Sequence, residues 1–170
     1  TGKSLTVAAA KQLTVTGALT NNGTLNLLST AAGTATILTN GTVSGSGTNN
    51  VQQWLTVARQ WWYLSSPLTA ATSNVFAPTG STNKIGEHFE NYIEVPTDNV
   101  STTAPYYSAP FAAGSSTPLL AGKGYVVKLT DATDGAYTFT GGTLNNGDIT
   151  LTPTRTGITA PKRGFNLVGN

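Results

Sequence analysis

The sequence predicts an all-β fold: a short N-terminal β-solenoid-like repeat leading into an antiparallel β-sandwich of jelly-roll-like form. Three observations carry that expectation. Short apolar triplets recur between Asn, Gly and Thr corners over residues 1–50, every aromatic residue lies after residue 50, and no segment offers a helical apolar stripe.

The triplets are Leu5-Thr6-Val7, Leu13-Thr14-Val15, Leu25-Asn26-Leu27 and Thr36-Ile37-Leu38. Successive strand residues face opposite sides, so Leu5/Val7, Leu13/Val15 and Leu25/Leu27 can fill the inside of a coil. Such a coil cannot bury its apolar face alone, and stacked neighbours are what stabilise it. The turn-rich stretch from Asn40 to Asn50 closes this region. Residues 51–170 form the second region, and the two can join as one unit. In the second region Val51, Gln53, Leu55 and Val57 alternate against Gln52, Trp54 and Thr56, which reads as a strand with one greasy and one mixed face. Residues 59–67 form a second strand ended by Pro67, which cannot donate to a ladder.

Residues 68–83 and 96–118 read as long loops, with a short strand at Tyr92–Val95. Further strands are expected at Gly124–Leu129, Ala136–Thr140, Asp148–Thr152 and Gly164–Val168, separated by the turn signals Asp134-Gly135, Gly141-Gly142 and Asn146-Gly147.

Composition narrows the function classes. The 170 residues include 31 Thr and 19 Gly, no Cys and one His, and only 9% are charged. Thr fits a pleated, half-solvated surface, and Gly supplies the positive φ of tight corners. Without Cys there is no disulfide framework and no thiolate nucleophile or metal site. The net charge of +2 comes from scattered groups, with no basic cluster larger than Lys162-Arg163, which argues against nucleic acid as a partner. No apolar run is long enough to span a bilayer as a helix, so no membrane insertion is expected. The chain opens on Thr1 without a charged-then-apolar leader, which reads as a mature or excised piece.

The phrases Gly2–Val7, Leu13–Leu25, Trp62–Pro67, Ala121–Tyr125, Phe139–Asp148 and Gly164–Asn170 resemble a recurring module of Bacteroidetes (Bacteroidota) secreted and cell-surface proteins of the type IX secretion system. They span nearly the whole chain in the order that module uses. The resemblance implies an extracellular or cell-surface, adhesin-like protein, a structural or binding role, and no catalytic residues to carry over. In such proteins Leu-Val-Gly-Asn normally runs on into a Pro-Tyr-Pro segment. Here the chain stops at Asn170, so either it is cut or the missing edge is completed by another chain. Phe165, Asn166, Leu167 and Val168 are therefore the expected assembly edge.

Several side-chain groups are candidate sites. Trp61, Trp62 and Tyr63 could stack a sugar face, although alternation puts Trp61 and Tyr63 on one side and Trp62 on the other, which sends at least one Trp to the core. Tyr106 and Tyr107 are a second carbohydrate candidate. Glu87, His88, Glu90 and Glu94 are the only acidic cluster. Glycoside hydrolysis needs a carboxylate pair, and strand alternation would split this group, so a solvated face is the simpler reading. One His forbids a multi-His zinc site. Asp131, Asp134 and Asp148 offer oxygen ligands for Ca²⁺ but lack the ligand count of a recognised loop. The sequons at Asn22, Asn40 and Asn99 are expected by chance in so Thr- and Asn-rich a chain. The expected function is a non-enzymatic extracellular module: a surface adhesin segment or filament subunit joined through strand edges to copies of itself or to neighbouring modules, without cofactors. A carbohydrate-binding module is the alternative.

Overall fold

The computed structural model describes residues 2–56, 61–76, 89–91, 116–128, 134–153 and 166–169. Its elements are strands and one short 3-10 turn at Ser73–Val75, and no α-helix occurs among the described residues. The fold is all-β.

The first fifty residues make two passes around a common interior and begin a third. The first pass contains β1 (Ser4–Val7), β2 (Gln12–Val15) and β3 (Leu19–Thr20). The second contains β4 (Thr24–Leu27), the short pair β5 (Ser29–Thr30) and β6 (Gly33–Thr34), then β7 (Thr36–Thr39) and β8 (Val43–Ser44). The third begins with β9 (Thr48–Leu55). All stacking between passes is parallel. Residue 12 lies opposite 36, 19 opposite 43 and 24 opposite 48, a constant offset of 24 residues, whereas β1 and β4 are offset by 20. The difference is the antiparallel β5–β6 pair, inserted at the first corner of the second pass.

This register stacks like on like. Inside, Leu5 lies against Leu25, and Val7 against Leu27 and then Val51. Outside, the Asn50 amide donates to Asn26 Oδ1 at 2.8 Å, and Asn26 Nδ2 donates to Thr6 Oγ1 at 3.2 Å and Ser4 Oγ at 3.3 Å. Such amide ladders stabilise parallel stacks because each rung repeats the one beside it. At the corners the backbones of successive passes nearly touch. A Cβ at Gly23 would run into the Lys3 carbonyl, and one at Gly45, whose φ is +110°, into that of Asn21.

The strand predicted from Val51 starts three residues earlier, at Thr48, because Asn49 and Asn50 continue the ladders instead of forming a turn. Asn49 is buried where the two passes before it carry Leu25 and Leu5. It accepts from Asn21 Nδ2 at 3.0 Å and donates to the Gly142 carbonyl at 2.9 Å, so its polar atoms are satisfied and it ties the stack to the second region.

Beyond Val51, β9 runs straight on. Its antiparallel partner is β13 (Gly135–Thr140), which sets Phe139 opposite Val51 and Tyr137 opposite Gln53. The resulting sheet has the order β1-β4-β9-β13. A second, antiparallel sheet is made of β10 (Trp61–Leu64), β12 (Tyr125–Lys128) and β11 (Phe89–Asn91), with β12 in the middle. One hydrophobic cluster contains Leu25 and Leu27 of the stack together with Leu55, Leu68, Phe76, Val127 and Phe139 of the second region. Phe76 meets Phe139 edge-on, with ring centroids 5.5 Å apart.

Elsewhere the structure departs from expectation. Asp148–Thr152 is not a strand: it pairs with none among the described residues, and Ile149 and Leu151 are exposed beside Gly122. The expected strand at Tyr92–Val95 lies outside the described residues, and the observed one, β11, falls just before it. Of Gly164–Val168 only the end is described, where Val168 forms a single bridge to Lys123.

The stack predicts unequal costs along one column. Leu25 is 3% exposed and Leu5, its partner in the first pass, 50%. Leu25→Ala should cost about 2–5 kcal/mol in urea unfolding followed by circular dichroism, and Leu5→Ala under about 1 kcal/mol. Equal costs would mean that Leu5 is covered in solution.

Candidate functional site

Among the described residues β10 has a strand partner, β12, on one side only, and residues from both of its faces line the space beside it. Alternation holds as expected. Trp61 and Tyr63 are 43% and 64% exposed, whereas Trp62 and Leu64 are half-buried against the hydrophobic cluster. The Trp62 indole N–H donates to the Thr56 carbonyl at 3.2 Å, which fixes the ring.

Between β10 and the stack lies an open cleft of about 620 Å³. Leu27, Phe139 and Leu144 line its buried part, Ile37 of β7 one side, and Trp62 and Leu64 the other. Polar groups enter from Gln53, Tyr63, Asn145 and Thr36, and among the described residues lining the cleft none is charged. Asn145 is held in place: its amide donates to the Ser66 carbonyl at 2.7 Å and its backbone N–H to that of Pro67 at 2.9 Å. Ser66 is held in turn, its hydroxyl donating to the Leu68 carbonyl at 2.7 Å.

The cleft takes up Trp62 and Tyr63 from the expected aromatic platform and leaves Trp61 outside. It also contains Gln53, Ile37 and Asn145, which no sequence motif marks as site residues. The signal for Gln53 was present, since alternation places this amide on the greasy face with Val51 and Leu55. Ile37 and Asn145 carry no local signal, because only the stacking register and the 67–69 against 143–145 pairing bring them together.

The other candidates are not brought together. Asp134 and Asp148 are both exposed, and no group of three or more metal-capable side chains occurs among the described residues. Asp131, Tyr106, Tyr107, Phe165, Glu87, His88 and Glu94 lie outside the described residues, and Glu90 lies on β11. At the expected assembly edge, the Leu167 carbonyl accepts the Gly124 N–H and the Gly169 N–H donates to the Gly122 carbonyl, each at 2.9 Å. One side of Asn166–Val168 is thus stitched to its own chain. Among the described residues no helix is long and apolar enough to cross a membrane.

An all-β chain with a parallel stack, a second antiparallel sheet and an uncharged aromatic cleft between them is the class these features define. The chain belongs to the family described as Domain of unknown function (DUF8693), whose model matches residues 1–170. No curated protein and no solved structure matches it.

Tyr137, opposite Gln53, packs on Phe76 with ring centroids 5.7 Å apart. Burial raises its phenol above the usual 10.0, and the nearby Asp134 carboxylate pushes in the same direction. The unfolded phenol ionises first, so this contribution is complete below pH 10 and is lost as the pH rises beyond it. Urea unfolding across pH 8–11 should show stability falling above about pH 10, with a shallower fall in Tyr137→Phe. An identical fall in both proteins would contradict the assignment.

Proposed function

We propose that this chain is a non-enzymatic, extracellular structural module: a short three-sided β-solenoid that leads into a β-sandwich-like region and joins a neighbouring β coil through its open first pass. The observation that carries this reading is the state of β1. It has a strand partner on one side only among the described residues, and its inward-facing Leu5 stays half exposed although the same position one pass later is closed. An unpaired edge above an unfinished apolar column is a template for another strand.

The features that natural proteins use to block such an edge are sparse here. Lys3 and Lys11 are the only charged residues in the first fifty, and no Pro interrupts β1, β2 or β3. At the other end β13 runs antiparallel along β9, which favours a segment placed at the end of a stack over a filament subunit needing two open ends. The natural neighbour is then a preceding coil of an adhesin-like parent or the same surface of a second copy. A Thr-rich, Cys-free and charge-poor chain with one His suits a scaffold outside the cell better than a catalyst.

In the purified chain the only coil available is that of a second copy. Sedimentation velocity over a wide concentration range should therefore show reversible association that stops at the dimer. Leu5→Lys, which puts a charge into the open column, should leave a folded monomer. A wild-type chain that stays monomeric at the highest attainable concentration contradicts the reading.

A further inference from the structure

Among the described residues the third pass does not complete its turn. Because β9 continues straight through Gln52 and Gln53 to its pairing with β13, no strand stacks on β7 on the side away from β2 among the described residues. The cleft lies on that side of β7, with β7 on one side of it and β10 on the other. We infer that this cleft binds a neutral carbohydrate chain. In this site Trp62 and Tyr63 meet the C–H faces of the sugar rings, and the amides of Gln53 and Asn145 bond their hydroxyls.

Four features support this assignment. The Gln53 amide is half-buried in the cleft wall and makes no side-chain hydrogen bond, and the exposed Tyr63 phenol makes none either. Asn145 donates from its amide nitrogen, but its Oδ1 accepts nothing. An amide offers both donors and an acceptor, the combination a sugar hydroxyl needs, and these amides can exchange water for one. Second, the lining combines the rings of Trp62 and Tyr63 with the aliphatic side chains of Leu27, Ile37 and Leu64, which suits a ligand with flat C–H faces. Third, no charged side chain among the described residues lines the cleft, so nothing there would repay the desolvation of a carboxylate or sulfate. Fourth, its volume lies in the range of about 300–1,000 Å³ typical of ligand clefts.

An extended peptide is less well served. Since the Thr36 N–H points to the Lys11 carbonyl, only Ile37 and Thr39 turn their backbone groups away from β2, which is too short an edge for strand addition.

The test is a printed array of neutral and uronic-acid-containing glycans, followed by titration of the best neutral oligosaccharide with tryptophan fluorescence as readout. A parallel array carries extended peptides. Neutral glycans should be retained, with affinity little changed between low and 1 M salt. Tyr63→Ala and Gln53→Ala should each weaken binding roughly three- to tenfold while leaving the far-ultraviolet circular dichroism unchanged. Trp62 is avoided because it packs on the core. No neutral glycan retained, retention of acidic glycans alone, binding indifferent to both variants, or peptides captured without glycans would each overturn the inference. Leu5→Lys lies outside the cleft and should bind as the wild type does, which separates this test from that of the open first pass.

Discussion

The parallel register between successive passes is the constraint on which the rest of the structure depends. A constant offset of 24 residues places Val51 under Leu27, Ile37 beside Leu13 and Val43 beside Leu19. None of these strands exceeds four residues before β9, and strands so short have no independent stability. What holds them is repetition: inward side chains such as Val7, Leu27 and Val51 stack on one another, outward Asn50, Asn26 and Thr6 bond in a ladder, and corner glycines let the backbones approach. A slip of one residue would turn inward Leu25 and Leu27 to solvent.

The same register explains why the second region can exist. The column Val7–Leu27–Val51 does not end at the stack but continues into Phe139 of β13, and from there through Phe76 into the remaining core. Asn49 performs the polar part of that handover by bonding both Asn21 and Gly142. Because β9 is eight residues long and does not bend at Val51, it trades a third complete pass for an antiparallel partner. Among the described residues that trade leaves no strand on the far side of β7, where the cleft lies. Open first pass, interrupted third pass and uncharged cleft are thus three results of one register and its interruption.

Much of this was legible in the sequence, and for physical reasons. Apolar triplets between Gly and Asn corners encode short strands locally, so Leu5–Val7, Leu13–Val15 and Leu25–Leu27 fall on β1, β2 and β4. Alternation within Trp61-Trp62-Tyr63-Leu64 encodes which ring is half-buried. What could not be read depends on distant partners. Asn49 looks like a turn residue until Asn21 and Gly142 are placed beside it. Asp148–Thr152 alternates like a strand, but alternation does not supply the neighbour that would make it one. The cleft was half legible: its aromatic wall was visible in the sequence, while Ile37 and Asn145 arrive through pairings made across many residues.

The central claim is that the stack and the aromatic region share one cooperative interior, and the distribution of tryptophan allows a direct test. All three Trp lie beyond residue 50, and in a Trp54→Phe background, which removes the one on β9, the remaining fluorescence comes from Trp61 and Trp62 of β10 alone. Leu27 is buried within the stack, far from them in sequence. Urea unfolding of Leu27→Ala in that background followed by tryptophan fluorescence should show a single transition with its midpoint lowered as much as that seen by circular dichroism. A fluorescence transition left at the midpoint of the Trp54→Phe parent would mean that the two regions unfold independently, and would contradict the account.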